Sequence, residues 1–306
     1  MSFAEQERAL FDLLFDSELR SRFTREGVGA LASYDLQEDE QADFVTIRPD
    51  ALELDAKMRR DFLLAHLCRA FPLSFAMTSS LQAGMTGLKA LVDTETMRAS
   101  PVARASVYGK RLRDYLSGSE EIKQDEKPLV ISIVEAELGM AWTAAALKDE
   151  VIAGSSPASE DEAVPDDWAI QPMRLADFVS ASIIPQSYGA LKKLLCQGPD
   201  TELWNSLKQV PLSRNQRRTA LSSEAPRLLV MRAVTSHVSS CEPVIEHKTV
   251  ELSDGFAPLL QHINGQTSVE NLLQQFRQAG ASEQMAEGVR QGFRQLVDNG
   301  MLQVAA

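Results

Sequence analysis

The sequence predicts an α+β protein in which a helical half precedes a mixed α/β half. Apolar residues recur at helical spacing through residues 1–150. A run of small, acidic and proline residues interrupts this pattern at 151–167, and short strand-like apolar runs follow it. Since 306 residues suffice for about two domains, we expect the interruption to be a linker between them.

Composition and charge narrow the class of protein. Hydrophobic residues make up 44% and charged residues 24%, and the net charge of -12 opposes non-specific binding to nucleic acid or to an anionic membrane. Residues 1–8 lack the pattern of a secretion signal, and no apolar stretch approaches the roughly 20 residues that cross a bilayer. Three widely spaced cysteines, Cys68, Cys196 and Cys241, predict reduced thiols and a cytoplasmic protein.

The first half consists of helical patterns. Asp16 and Ser17 are expected to cap the second helix, and Pro72 to end or bend the fourth. Residues 35–55 carry eight acidic side chains and only Arg48 as a base, which indicates a solvated face that could also meet a basic partner. The predicted helices lie at 5–15, from 16, from 34, 56–69, 84–92, 101–116 and 128–150.

The second half predicts strands at 177–184, 227–234 and 244–250, with helices at 188–195 and 201–208. One tract between these elements is basic, and Glu224 is its one acidic residue. We favour a solvated loop for this tract over a phosphate or carboxylate site. Its cations are Lys208, Arg214, Arg217, Arg218, Arg227 and Arg232.

The last sixty residues predict a winged helix. A strand at 249–255 leads into three amphipathic helices, and residues 300–303 form an extended piece that can pair back as a wing. Each helix is expected to end at a Gly or an Asn-Gly pair. The helices and their terminators are 256–263 with Asn264-Gly265, 269–279 with Gly280, and 284–299 with Asn299-Gly300.

These patterns divide the chain into four parts. We expect a helical domain at 1–150, a linker at 151–167, an α/β connecting region at 168–225 and a winged-helix domain at 226–306.

Winged helices commonly bind DNA, and this requires a basic surface. Residues 246–306 carry seven acidic and four basic side chains, which argues against DNA. Arg277, Arg290 and Arg294 do lie on the second and third helices, so a local basic patch remains an alternative. A winged helix can also add a peptide as an extra strand beside its sheet, which needs backbone pairing rather than positive charge.

Catalytic signatures are sparse in the sequence. Gly27-Val-Gly29 follows no strand and indicates a helix terminus rather than a phosphate loop. Glu135 and Glu137 lie two apart on a predicted helix, so they are not expected to converge as an acid and a base. His237 and Cys241 flank a serine-rich turn, where a reactive pair is an alternative to a plain hairpin connection. A free-standing enzyme built on that pair is a third hypothesis, after peptide binding and DNA binding.

Two sets of residues resemble known families. The N-terminal set resembles the partner proteins of multinuclear non-haem iron oxidases, such as the thiaglutamate partner TglI and the shorter methanobactin partner MbnC. The C-terminal set resembles the PqqD-type element that binds precursors of ribosomal peptide natural products. The first set is Leu10-Phe-Asp-Leu-Leu-Phe-Asp-Ser-Glu-Leu-Arg20, Phe23, Ala30-Leu-Ala-Ser-Tyr-Asp-Leu36, Glu40 and Cys68-Arg-Ala-Phe-Pro-Leu-Ser-Phe75. The second is Leu252-Ser-Asp-Gly-Phe256, His262-Ile-Asn-Gly-Gln-Thr-Ser-Val-Glu270 and Leu296-Val-Asp-Asn-Gly-Met-Leu302.

The resemblance implies a non-catalytic subunit that binds no metal itself. A separate oxidase holds the iron, the helical half docks onto it in a heterodimer, and this chain presents a precursor peptide for oxidative rearrangement of a cysteine, as in a 3-thiaglutamate-type pathway. The peptide is expected to add as a strand beside the edge near 249–251 and to lie against the third helix. The residues that this assigns to peptide contact are Thr249, Val250, Glu251, Glu287, Arg290, Gln291 and Arg294.

Overall fold

The computed structural model describes residues 3–154, 165–196, 198–222, 225–238 and 243–305 and confirms the α+β class. Most of the predicted linker, together with Cys241 and Glu224, lies outside the described residues. Helices fill the described part of the first half, and two three-stranded sheets lie in the second.

The described helices and strands are as follows. The helices are α1 (Phe3–Phe15), α2 (Ser17–Glu26), α3 (Glu38–Val45), α4 (Pro49–Ala70), α5 (Pro72–Ser79), α6 (Gly84–Ala90), α7 (Thr94–Arg98), α8 (Arg104–Gly118), α9 (Lys127–Ile152), α10 (Tyr188–Leu195), α11 (Leu203–Gln209), α12 (Arg214–Leu221), α13 (Phe256–Gln261), α14 (Val269–Gln278) and α15 (Glu283–Asp298). The strands are β1 (Pro172–Leu175), β2 (Val179–Ile184), β3 (Arg227–Val238), β4 (Pro243–Ser253), β5 (Asn264–Ser268) and β6 (Leu302–Val304). Short 3-10 segments lie at Gly27–Leu31 and Trp168–Ile170.

Local sequence signals explain several helix boundaries. The Asp16 side chain accepts hydrogen bonds from the backbone N–H groups of Glu18 and Leu19, which confirms the predicted cap of α2. Pro72 does not simply end a helix but stands in the first turn of α5, which meets α4 at a bend of 115°. Helix α4 begins seven residues earlier than predicted because Pro49 suits the first helical position. Gly280 and Gly300 follow α14 and α15 at positive φ, as the sequence predicts.

The largest core combines both halves of the chain. It is formed by the second part of α4 with α5, α8 and α9, and by α10, α11 and α12 from beyond residue 187. Phe75 and Trp204 meet edge to face in this core, with ring centroids 5.8 Å apart. Residues 188–221, predicted as part of a connecting region, therefore pack as an integral layer of the helical half.

The prediction that the basic tract is a solvated loop is wrong for Arg217. It lies on α12, and only 1% of it is exposed. Its guanidinium donates to the Ser80 hydroxyl at 2.8 Å and the Glu121 carbonyl at 3.2 Å, and pairs with the Glu126 carboxylate at 3.4 Å. The buried cation is tolerated because these acceptors replace water, and it joins α12 to the end of α5 and the start of α9.

The two sheets are antiparallel. The larger has the order β2-β3-β4, and the smaller has the order β5-β1-β6. The final extended piece pairs with β1 through Met173↔Val304 and Leu175↔Leu302, so it does not pair back onto the strand that precedes the three helices. Strands β1 and β5 were not predicted because four or five residues such as Asn-Gly-Gln-Thr-Ser carry too little apolar alternation.

Both faces of the larger sheet are covered. Leu229 and Met231 of β3 pack against Ala136 and Met140 of α9 on one face. On the opposite face, Leu228, Val230, Val250 and Leu252 enter a core built mainly by α13, α14 and α15. The sheet is therefore a middle layer between α9 and the C-terminal helices.

Helix α9 is long and apolar enough, by length and composition, to cross a membrane, contrary to the expectation that no stretch approaches that length. Its Val130, Ile133 and Val134 are buried in the helical core, and its Ala136 and Met140 contact the larger sheet. These contacts make α9 a part of the protein core.

Candidate functional site

The β4 edge of the larger sheet is a position at which a further chain can pair as an additional strand. Strand β4 pairs with β3 along its length, from Arg227↔Ser253 to Val238↔Pro243, and stands last in the sheet order. In the described residues no strand pairs with the other edge of β4. Thr249 lies near the middle of this edge and is exposed. Such an edge presents backbone N–H and C=O groups that an incoming extended peptide can bind.

The three predicted contact residues of β4 point to two different faces. Val250 lies opposite Val230 and is buried in the C-terminal core. Thr249 lies opposite Met231, whose side chain faces α9, so Thr249 shares that face of the sheet. The same alternation directs Glu251 toward the side of the sheet that α9 and α10 cover. Side chains of Thr249 and Glu251 therefore lie on the opposite face from α15.

Glu251 has a structural partner. Its carboxylate accepts a hydrogen bond of 2.9 Å from the backbone N–H of Tyr188, the first residue of α10. A carboxylate at this position compensates an N–H group that the helix itself leaves unpaired. The edge strand is thereby attached to the helical half.

The side chain of Tyr188 extends into the core of the helical half. Its hydroxyl donates to the carboxylate of Glu137 on α9 at 3.3 Å. Glu137 is fully buried and also accepts from the backbone N–H groups of Leu73 and Ser74, at 2.8 and 3.0 Å, and from the Ser74 hydroxyl at 2.5 Å. Glu137 thus caps α5 from a neighbouring helix.

Burial raises the pKa of Glu137 to about 7, against the hydrogen bonds from Ser74 and Leu73, which lower it. Glu135, two residues earlier, is exposed and lies 3.9 Å from Arg113. The two carboxylates are therefore separated, one in the core and one on the surface. The role of Glu137 could not be predicted from spacing, because the groups that it binds lie more than fifty residues away in the chain.

The four predicted contact residues of α15 occupy one flank of that helix. Glu287, Gln291 and Arg294 are exposed, and Arg290 is half-buried. Glu287 accepts a hydrogen bond of 3.3 Å from Gln291, one turn further along. This flank offers both charges and an amide to a ligand.

Neighbouring elements define where this flank points. Arg290 forms an ion pair with Glu270 of α14. Arg294 pairs with Asp298 at 2.8 Å, and its guanidinium lies 5.8 Å from the centre of the Trp168 ring. The flank therefore borders α14 and the Trp168–Ile170 segment.

The remaining candidate residues are histidines and cysteines. The ring nitrogen Nε2 of His247 lies 2.9 Å from the Met140 carbonyl, and burial lowers the pKa of this histidine. Burial also raises the pKa of the Cys196 thiol to about 12 and that of Cys68 further. The hypothesis of a His237–Cys241 pair falls on residues whose side chains lie outside the described set. Within the described ranges, no group of three or more His, Cys, Asp or Glu side chains is placed to hold a metal ion.

Comparisons of the chain with protein-family models, with curated proteins and with solved structures find no match.

Proposed function

We propose that this chain is the non-catalytic, peptide-recruiting subunit of an iron-dependent oxidase complex. The oxidase holds the iron, and this chain binds a precursor peptide so that a peptide cysteine is oxidatively rearranged, with a 3-thiaglutamate-type pathway as the first candidate. The two form a heterodimer in the cytoplasm. The observation that carries the proposal is the edge of β4 at Thr249, with which no strand pairs in the described residues, in a sheet whose two faces are already filled.

The order of elements supports a recognition domain of the winged-helix, PqqD-like type. The β3–β4 hairpin is followed by α13, β5, α14 and α15, and the three helices cover one face of the hairpin. A peptide paired with β4 would form the next strand of that sheet. Its side chains on the α15 side would lie beside the face that carries Val250.

The ion pairs of the C-terminal helices weigh against the DNA-binding alternative. Arg277 contacts Glu270 and Glu283, and Arg290 shares Glu270. These carboxylates neutralise the cations that a phosphate backbone would require. No second function is therefore proposed for this surface.

Two photo-crosslinking positions test the proposal. A photoreactive amino acid replaces Thr249 on the edge strand or, as the control, Glu120, which is exposed on the connection between α8 and α9. After irradiation in the native cells, crosslinked peptides are identified by mass spectrometry, and iron is measured in the co-purified complex. We expect that a cysteine-containing peptide is crosslinked to position 249, that no peptide is crosslinked to position 120, and that the complex contains iron.

Other results would contradict the proposal in specific ways. Recovery of a crosslinked peptide without iron and without an oxidase would indicate a peptide-binding protein of another kind. DNA fragments at position 249, with binding that falls steeply as salt rises, would favour the transcription regulator. Activity of the isolated chain that is lost in Cys241→Ala would favour the enzyme.

A further inference from the structure

A groove lies between α1 and the end of α3, on the surface of the helical half. Its volume is about 430 Å³, which lies within the range of roughly 300–1,000 Å³ that small-ligand sites occupy. We call it the α1–α3 groove. Its lining residues are Gln6, Glu7 and Leu10 from α1, and Asp43, Phe44, Thr46 and Ile47 from α3 and the residues that follow it.

Part of this lining is apolar. Phe44 is buried in the N-terminal core, and Ile47 packs against the same core. Leu10 adds a side chain that is 41% exposed. Methylene groups that lie against these three side chains would be removed from water, which is favourable.

The other part of the lining is acidic. Glu7 and Asp43 are both exposed, and neither forms an ion pair with a described residue. The carboxylate of Asp43 accepts a hydrogen bond of 2.9 Å from the amide of Gln6, which is neutral. The negative charges of the two carboxylates are therefore not compensated within the described part of the chain.

The cations nearest in sequence to the groove are engaged elsewhere. Arg8 pairs with Glu5 at 3.2 Å, and its guanidinium lies 5.5 Å from the centre of the Tyr34 ring. Arg48, one residue beyond the lining, pairs with Asp50. No Lys or Arg of the described ranges lines the groove itself. A ligand of positive charge is therefore complementary to it.

The lining distinguishes between classes of ligand. The phosphates of a nucleic acid or of an anionic membrane would be repelled. A metal ion is disfavoured, because the described residues contain no group of three or more His, Cys, Asp or Glu placed to hold one, and apolar side chains offer it no ligand. A cation on an apolar stem suits both parts of the groove, and Lys and Arg side chains have this structure.

The surface beside the groove favours a protein as the source of this cation. Phe3 lies three and four residues before Gln6 and Glu7, so it shares their face of α1, and it is 62% exposed. A protein segment that inserts one basic side chain would also cover Phe3. A free amine in the groove would leave this ring in water.

We propose that the α1–α3 groove binds an arginine or lysine side chain that a second protein presents. The stem of that side chain lies against the apolar part of the lining, and its cationic head pairs with Glu7 and Asp43. The inference goes beyond the proposed function. It assigns a site in the helical half, and it requires neither a peptide at β4 nor iron in the partner.

Titration of the intact chain with n-butylguanidinium tests the chemistry of the groove. The methyl NMR signals of Leu10 and Ile47 report binding. The matched control is n-butylurea, which has a similar shape and no charge. We expect saturable shifts with the cation and an affinity at least tenfold weaker for the urea. Equal affinities for the two probes, or no shift with the cation, would overturn the proposal.

Substitution of the carboxylates tests their role. Glu7→Gln/Asp43→Asn removes both charges and keeps the shape of the side chains. Glu38→Gln is the control, because Glu38 is an exposed carboxylate of α3 that does not line the groove. We expect the affinity for n-butylguanidinium to fall at least tenfold in the double variant and less than twofold in the control. Similar losses in both would indicate general attraction by the net negative charge, and the site would be refuted.

A photoreactive residue at Phe3 identifies the partner in the native cells. Crosslinks to a segment of another protein that contains Arg or Lys, lost in Glu7→Gln/Asp43→Asn, support the proposal. Crosslinks to a second copy of this chain, or no crosslinked protein, would overturn it. A polyamine that mass spectrometry finds bound to the purified chain would overturn the assignment to a protein.

This inference and the proposed function fail separately. A partner that crosslinks at Phe3 and holds no iron contradicts the proposed function and leaves the groove in place. Conversely, recovery of a peptide at Thr249 together with iron, but no binding of n-butylguanidinium, refutes the groove alone.

Discussion

The hydroxyl of Tyr188 donates to the buried carboxylate of Glu137 at 3.3 Å, while the backbone N–H of the same tyrosine donates to Glu251 on the edge strand. One residue thus connects the sheet edge with the interior of the helical half. Burial raises the pKa of the Tyr188 hydroxyl well above its usual value, so it remains a donor at neutral pH.

Tyr188→Phe is expected to lower the free energy of unfolding by about 1–2 kcal/mol, since it leaves a buried carboxylate with one donor fewer. Urea denaturation measures the change. In the Glu137→Gln background the same substitution should cost less, because the carboxylate is already gone. Equal costs in the two backgrounds would show that the hydrogen bond contributes nothing.

The contribution of Glu137 to the stability of the fold should decrease as pH rises from about 4.5 to about 7. The pKa of Glu137 is raised from 4.5 to about 7 by burial, so the folded state binds its proton more tightly than the unfolded state does in this window. Stability therefore falls as the group ionises, by up to about 3 kcal/mol. Denaturation midpoints across this range measure the slope. Glu137→Gln should remove this contribution to the slope. An unchanged slope in the variant would show that other groups cause the pH dependence.

Arg217→Ala should cost about 3 kcal/mol of stability, because it opens a cavity and removes a cation that Glu126 and two further acceptors bind. Arg214→Ala on the same helix is the control. Arg214 is exposed, so its loss should change stability by less than about 0.5 kcal/mol. Similar effects of the two substitutions would contradict the role of the buried guanidinium.

Two glycines of α15 provide a matched pair. A methyl group at Gly288 meets nothing within 4 Å, so Gly288→Ala should stabilise the protein by about 1 kcal/mol. A methyl group at Gly292 would collide with the Phe256 ring, so Gly292→Ala should destabilise it by about 1–3 kcal/mol. Thermal unfolding of both variants tests this packing, and stabilisation by Gly292→Ala would contradict it.

Arg290→Glu/Arg294→Glu should weaken binding of the peptide captured at Thr249 by at least tenfold, as measured by fluorescence anisotropy, and should leave binding of the oxidase unchanged. The control is Glu270→Gln, which removes the ion-pair partner of Arg290 but keeps the arginine. It should bind the peptide at least as well as the wild type does. Weaker binding by this control would show that the ion pair positions α15 rather than that the arginine contacts the peptide.

Periodicity and terminators predicted the elements whose signals are local. The helices α13 to α15, the strands β2, β3 and β4 and the cap at Asp16 follow from residue spacing and from Gly, Asn and Asp at element ends. The burial of Arg217 could not be predicted, because its acceptors belong to segments about 90 and 137 residues away. Likewise, spacing placed the assigned residues on β4 and α15 but could not show that Thr249 and Glu251 lie on the opposite face from α15.

The two covered faces of the larger sheet have a consequence for any chain that pairs with β4. Successive residues of an added strand alternate between the faces. One set lies toward the C-terminal helices, and the other lies toward α9 and α10. Each of these two parts of the protein would therefore contact every second side chain of the ligand. Any preference for the ligand sequence would alternate from one residue to the next.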